Sequence, residues 1–429
     1  MVFARVHQTA EGDLLPQKLA EYYGVGAVPG FEGRASDPRR GHLPELMGLR
    51  GVAILIVVCG HLLQRVERFY GETSLVAWEK FLFNVLATPF TGCRLLFFIS
   101  GYALMISLQD KGQSSHRSSA AIEIKKRFLR IWPPYFMVLA ATLLFLSATG
   151  YKPSGTYQFE SKPDSLVVSF LFSLVFLHDL IFDTFPRLFP PGWYLEVHVQ
   201  FFLVGAWVWR WYLKIRAGAA RLSIGVMLLI LFLLVSSLAM EYGSRGIRYS
   251  VIAFMPYFWA GALLADFRIH RDGDQIDRAL RRVWLVGWLG LAALIILGAP
   301  FGDALVQLSG QVICLGLIIR ASFVGRTNFQ RALVSRWLAK VGVASYSIYL
   351  VHLQILQVVI ELVVINFRQF PVFMLVALCV FWGLSAVMAV SFLFYWLVER
   401  PWMVVALRAS PSSETSDAGS RKEKTFFAL

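Results

Sequence analysis

The chain has 429 residues, 57% of them hydrophobic and 15% aromatic, with only 16% charged. Soluble domains run near 45–50% apolar and about 25% charged, so repeated apolar runs of about twenty residues exclude an ordinary soluble protein and indicate a polytopic membrane one. A formal charge of +14 would suggest nucleic acid in a soluble chain, but here the basic residues lie between apolar runs, where orientation in a bilayer accounts for them; no nucleic-acid partner is expected.

Residues 1–43 are polar and mixed in charge and contain no signal-peptide core. They are expected to form a flexible cytoplasmic lead-in. The first span, about 47–64, carries Arg50 and His61 at the two ends of a run of small and aliphatic residues. At about 100° per residue, the eleven-residue step between them returns to within roughly 20° of one face, with α-carbons about 16 Å apart along the axis. Ionisable groups in a span cost about 2.5–3.5 kcal/mol each on insertion scales, so a stripe bearing two of them marks a working face. Imidazole ionises nearest neutrality and suits a general base. With the N-terminus inside, Arg50 sits near the cytoplasmic face and can hold an anion there.

A second span covers about 90–108. A basic stretch follows, with Lys125, Lys126, Arg127 and Arg130, and leads into Trp132-Pro133-Pro134. Proline suits a helix start, so the third span is expected to begin there. Arg127 and Arg130 share a helical face and could hold phosphate, or could be a positive flank alone. Further runs fall near 192–209, 222–240, 249–266, 283–299, 304–323, 337–363 and 372–398. One more, 164–183, is settled by charge: if it does not span, all the basic loops lie on one side. The expected architecture is therefore an all-α membrane bundle of about ten spans, with 164–183 interfacial or re-entrant and both termini cytoplasmic. Its membrane domain covers 44–402, and a polar, disordered tail covers 403–429. Four cysteines, Cys59, Cys93, Cys314 and Cys379, all lie in apolar runs without zinc spacing, so no metal is expected.

Two later segments carry polar groups inside apolar runs. In Trp193-Tyr194-Leu195-Glu196-Val197-His198-Val199-Gln200, the residues Trp193, Glu196 and Gln200 line one face at helical spacing, while His198 lies about 200° around from Glu196. In Ser345-Tyr346-Ser347-Ile348-Tyr349-Leu350-Val351-His352, the residues Ser345, Tyr349 and His352 form a polar stripe. Helix–helix hydrogen bonding is the plainer reading of both.

Taken in order, these motifs resemble the acyltransferase 3 family of integral-membrane O-acyltransferases. Arg50 and His61 match its arginine–ten residues–histidine signature, and Phe97-Phe98-Ile99-Ser100-Gly101-Tyr102 is similar to its second-span motif. Arg127-Phe128-Leu129-Arg130 resembles its paired arginines, the 345–352 segment its late serine–tyrosine–histidine motif, and Glu399-Arg400-Pro401 its usual end. The family glutamate five positions after a tryptophan is replaced here by His198, with Glu196 two residues earlier, so both stay candidates.

The resemblance implies transfer of an acyl group, most commonly acetyl from acetyl-CoA, to a hydroxyl of a sugar, glycan, lipid or other acceptor. His61, Arg50, Glu196, His198 and His352 are then the catalytic candidates. Arg127, Arg130, Arg50, Ser100 and Tyr349 are the candidates for holding acyl-CoA. Direct attack with His61 as base is expected, with a ping-pong route as its alternative; membrane lipids are partners, a homo-oligomer is left open, and the membrane is a bacterial inner membrane or a eukaryotic endomembrane. A transporter would also show ten spans with buried charge, but more often with internal repeats, and no convincing repeat is found here.

Overall fold

The structure is a computed structural model and describes residues 43–70, 76–112, 120–151, 162–270, 285–299, 302–325 and 327–408. The expected lead-in, apart from Leu43, and the tail beyond 408 lie outside these residues. Among the described residues there is no strand. Backbone N–H and C=O groups in a bilayer must be paired within the protein, and helices do this within one segment.

Among the described residues, eight stretches are long and apolar enough to cross a membrane. α1 is Pro44–Tyr70, with Glu45 in its first turn and Arg68 in its last, complementing the helix dipole. The short α2 (Ala77–Leu86) precedes α3 (Pro89–Gly112). α4 is Ala120–Thr149. Two short helices, α5 (Leu166–Leu174) and α6 (His178–Phe182), lead through a 3-10 turn at Pro190–Gly192 into α7 (Trp193–Lys214). α8 (Ala219–Tyr242), α9 (Arg245–Arg248) and α10 (Val251–His270) follow. Then come α11 (Val286–Ile296), α12 (Ala304–Ser322), α13 (Asn328–Leu333) and α14 (Arg336–Val343). The chain closes with α15 (Ser345–Phe367), α16 (Val372–Phe394), a π turn at Tyr395–Glu399 and α17 (Arg400–Arg408).

The structure corrects several expected boundaries. α4 does not begin at the prolines: Pro133 and Pro134 lie inside it. Prolines are tolerated in spanning helices; the missing N–H groups of these two free the carbonyls of Leu129 and Arg130, and one residue on, the Ile131 carbonyl accepts the Tyr346 hydroxyl (2.6 Å). The run at 337–363 is two helices, α14 and α15, parted at Ala344. The run at 283–299 forms only the 11 residues of α11, about 16 Å of helix against a hydrocarbon core of about 30 Å. α7 has 22 residues but carries Glu196, His198, Arg210 and Lys214; it is not among the eight strongly apolar stretches. The stretch 164–183 holds no helix long enough to cross a bilayer. It folds as α5 and α6, with left-handed backbone at Phe176 and Asp183 turning the chain. The final helix runs past 403 to Arg408.

α1 packs against α3, α14, α15 and α16, and α10 packs against α3 and α8. The closest approach uses missing side chains. A Cβ on Gly101 would overlap the Phe258 carbonyl, and one on Gly261 would overlap the Phe98 carbonyl, so α3 and α10 meet nearly backbone to backbone. That contact gives the Ser100-Gly101 pair a packing reason. The periphery is apolar instead: Met227, Ile230 and Leu238 on α8, Ile313 on α12, Ile365 on α15 and Phe381 on α16 are all exposed. Faces of that size need lipid.

Candidate active site

The stripe on α1 points inward at both ends. Arg50 is buried and its Nη2 donates to Ser345 Oγ at the start of α15 (3.2 Å). Eleven residues on, the His61 ring lies 5.3 Å from that of His352, centroid to centroid, with the planes inclined at 35°. One helix thus aligns Arg50 and His61, and α15 answers each with one member of its own polar stripe.

Hydrogen bonds assign the tautomers. Gln64 Nε2 donates to the Ala87 carbonyl (3.0 Å), which turns Oε1 towards His61 Nδ1 (3.2 Å). An amide oxygen only accepts, so His61 carries its proton on Nδ1. His352 Nδ1 in turn faces the Tyr349 carbonyl at 2.7 Å and must also be the donor. Both imidazoles therefore present an unprotonated Nε2, and that of the fully buried His352 has no hydrogen-bond partner. A buried acceptor without a partner is rare in native structures.

From His352 the aromatic contacts continue through Tyr349 (ring centroids 6.0 Å), Tyr194 (5.1 Å) and His198 (4.4 Å). His198 Nε2 lies 3.0 Å from Ser100 Oγ. The Tyr349 hydroxyl donates to the Pro191 carbonyl, which fixes the turn leading into α7. His61, His352, Tyr349, His198 and Ser100 are thereby brought into one continuous wall formed by α1, α15, α7 and α3.

Glu196 is not part of that wall. Its two oxygens accept the backbone N–H groups of His178 (3.1 Å) and Asp179 (3.0 Å), the first residues of α6. A carboxylate there satisfies orphan donors and complements the helix dipole. Arg130 is in a buried ion pair with Glu399 (3.0 Å), whose other oxygen accepts the Ser347 N–H (3.1 Å) and hydroxyl (2.6 Å). This anchor adjoins Ser345 on α15, at the Arg50 end. The Arg127 side chain lies outside the described residues. Gln64 was not singled out from the sequence, and Glu399 was named only in the motif that ends the last span. Gln64 had a signal, standing three residues after His61, whereas the Arg130–Glu399 pair joins positions 269 apart.

Near α6, Asp179 is buried, and neither carboxylate oxygen has a hydrogen-bond partner. Arg245 Nε stands 3.8 Å away, its guanidinium over the Phe185 ring. Burial pushes the Asp179 carboxyl up from 3.8 to about 7, opposed by Arg245 and aided by Asp183. Between those values the folded chain holds a proton that the unfolded chain releases, so this group's stabilising contribution declines as pH rises from about 4 to 7. Asp179→Asn is expected to gain melting temperature relative to wild type as pH is raised from 5 to 8. A constant difference across that range would contradict the assignment.

Among the described residues, no group of three or more histidine, cysteine or acidic side chains could hold a metal ion. The profile of the acyltransferase 3 family, described as an acyltransferase domain, matches residues 43–396. The chain belongs to the acyltransferase 3 family. It is accordingly a membrane acyltransferase, and the family implies an acyl donor as co-substrate and a hydroxyl acceptor. No curated protein and no solved structure matches the chain. The family match takes in α1, the ring wall and the first two residues of the π turn, and ends before Glu399.

Proposed function

We propose that this acyltransferase moves an acyl group, acetyl in the first instance, from acyl-CoA to a hydroxyl of a carbohydrate, glycolipid or other acceptor, with His61 as general base. The observation that supports this best is the pair of Nδ1-protonated imidazoles with unprotonated Nε2 atoms, 5.3 Å apart between ring centroids. In this reading His61 Nε2 takes the hydroxyl proton as oxygen attacks the thioester carbonyl. The tetrahedral intermediate then collapses, the C–S bond breaks, and the proton passes from His61 to the departing CoA sulfur.

The polar stripe orders the approach. With both termini cytoplasmic, Arg50 lies at the cytosolic end of α1, and the Arg130–Glu399 pair and Arg127 belong to the same end. Acyl-CoA, a cytosolic polyanion, would enter there, with its pantetheine arm passing Ser100 and Tyr349 towards His61. His352 would serve as a second proton carrier, His198 would border the arm through Ser100, and Glu196 would act as a positioning residue through α6. The membrane would be a bacterial inner membrane or a eukaryotic endomembrane.

The test is purified protein with acetyl-CoA and candidate hydroxyl acceptors, following thiol release and acceptor mass gain. Release of free CoA together with a mass gain of one acetyl group supports the reading. Acceptor-independent transfer to the protein itself would favour a ping-pong route. No release above background would reject acetyl-CoA as donor.

A further inference from the structure

Arg65 stands one turn after His61 on α1, on the same face. It is buried within the span, at 6% exposure, and its Nε and Nη1 have no hydrogen-bond partner. Guanidinium donors are almost always satisfied when buried, so two orphaned N–H groups on one side chain indicate a group that arrives from outside the chain. Side chains on a helix lean towards its N-terminus, and a long one covers the preceding turn. For Arg65 that turn is the one bearing His61.

Its surroundings narrow what the missing partner is. Arg65 is close enough for its charge to act on both His61 and His352. These two rings present only lone pairs on Nε2, so nothing near Arg65 on that side is anionic. Arg68, Glu361 and Tyr151 are the other charged or titratable groups in range. The Glu361 carboxylate is engaged by the Tyr151 hydroxyl (2.6 Å) and by the Gln357 amide. The site thus has a cation with spare donors beside two bases, and the one carboxylate acting on it, Glu361, has both oxygens bonded to Tyr151 and Gln357.

We propose that Arg65 is the oxyanion-stabilising residue of the acyl transfer, a role that rests on the His61 reading above. When the acceptor oxygen bonds to the thioester carbon, the carbonyl π pair moves onto the carbonyl oxygen. The Arg65 N–H groups take up that charge as hydrogen bonds. The pair returns as the C–S bond breaks, and the CoA sulfur leaves with the proton carried by His61. A donor that bonds more strongly to the oxyanion than to the carbonyl lowers the barrier without tightening substrate binding.

The experiment compares full-length wild type, Arg65→Gln, Arg65→Lys and His61→Gln in detergent. It measures acetyl-CoA-dependent thiol release with water as acceptor, and melting temperature. Arg65→Gln is expected to lower kcat by about 10²–10³ and to change KM for acetyl-CoA by less than about threefold. Arg65→Lys keeps the charge but not the fork of donors, and is expected to fall by at least about tenfold. The inference is overturned if kcat is unchanged in Arg65→Gln, or if only KM rises. Should Arg65→Gln fail to fold, Arg65→Lys decides: wild-type kcat in that variant also overturns it. Turnover that survives His61→Gln removes the general-base reading, whereas loss in His61→Gln with full turnover in Arg65→Gln removes Arg65 alone. A wild type that releases no thiol overturns both.

Discussion

His61→Gln is expected to reduce acetyl-CoA-dependent thiol release by a factor on the order of 10²–10⁴, the usual span for loss of a positioned general base, with a melting temperature close to wild type. The fold should tolerate the change because the ring makes one side-chain hydrogen bond, to Gln64 at 3.2 Å, and glutamine can donate in its place. His352→Gln is expected to cost less than about tenfold, because in the proposed mechanism its Nε2 relays a proton rather than accepting the first one. The comparison is a strict one. If the two effects are reversed, the base is His352, and the α1 stripe serves only to position it. Gln64→Leu separates the tautomer from the base: without the Oε1 acceptor the His61 proton is free to move to Nε2, and kcat should fall while binding of acetyl-CoA holds.

The second large effect concerns stability. Glu399→Gln leaves Arg130 buried without its counter-charge, and is expected to destabilise the protein by about 3–5 kcal/mol, as breaking a buried ion pair does. The carboxylate is fully buried and also accepts two hydrogen bonds from Ser347. Glutamine keeps one acceptor oxygen, so the change removes the charge and one of the two acceptors shared by Arg130 and Ser347. Replacing both charges, with Arg130→Met and Glu399→Leu together, should recover much of the loss, because no isolated charge is then left in the interior. Denaturant or thermal unfolding in detergent measures both variants. A Glu399→Gln protein within about 1 kcal/mol of wild type would mean that the pair is hydrated and contributes little.

Much of the site could be read from spacing because helices are periodic. Arg50 and His61 fall on one stripe of α1, and Ser345, Tyr349 and His352 on one stripe of α15. A polar stripe in an apolar helix has to face inward, so both were identifiable as interior faces. That they face each other is a matter of packing, which no single-helix pattern encodes. The same limit hid the Arg130–Glu399 pair and the engagement of Glu196 with α6, since each depends on where a distant segment docks. At 164–183 the charge argument, a global constraint of bilayer orientation, predicts a segment that does not span, and the stretch folds as α5 and α6, each too short to cross a bilayer alone. Helix boundaries went astray where local rules met tertiary ones. Pro133 and Pro134 read as a start yet sit within α4, and the unbroken apolar pattern at 337–363 hid the break at Ala344.

The π turn at Tyr395–Glu399 divides the last apolar rod into two azimuths. A π turn winds one additional residue into the helix, which advances everything beyond it by about 100°. Before the turn, α16 addresses α15 and α1; after it, α17 addresses α4. Arg400 rests over the Trp396 ring at 4.1 Å, and Met403 points inward while Trp402 and Val405 face out. A single stretch of chain thereby works as a splice, joining the scaffold behind the two imidazoles to the helix that carries the paired arginines. Excising one residue from 395–399 would keep the rod but spoil its phasing, so that one of these two junctions would have to open.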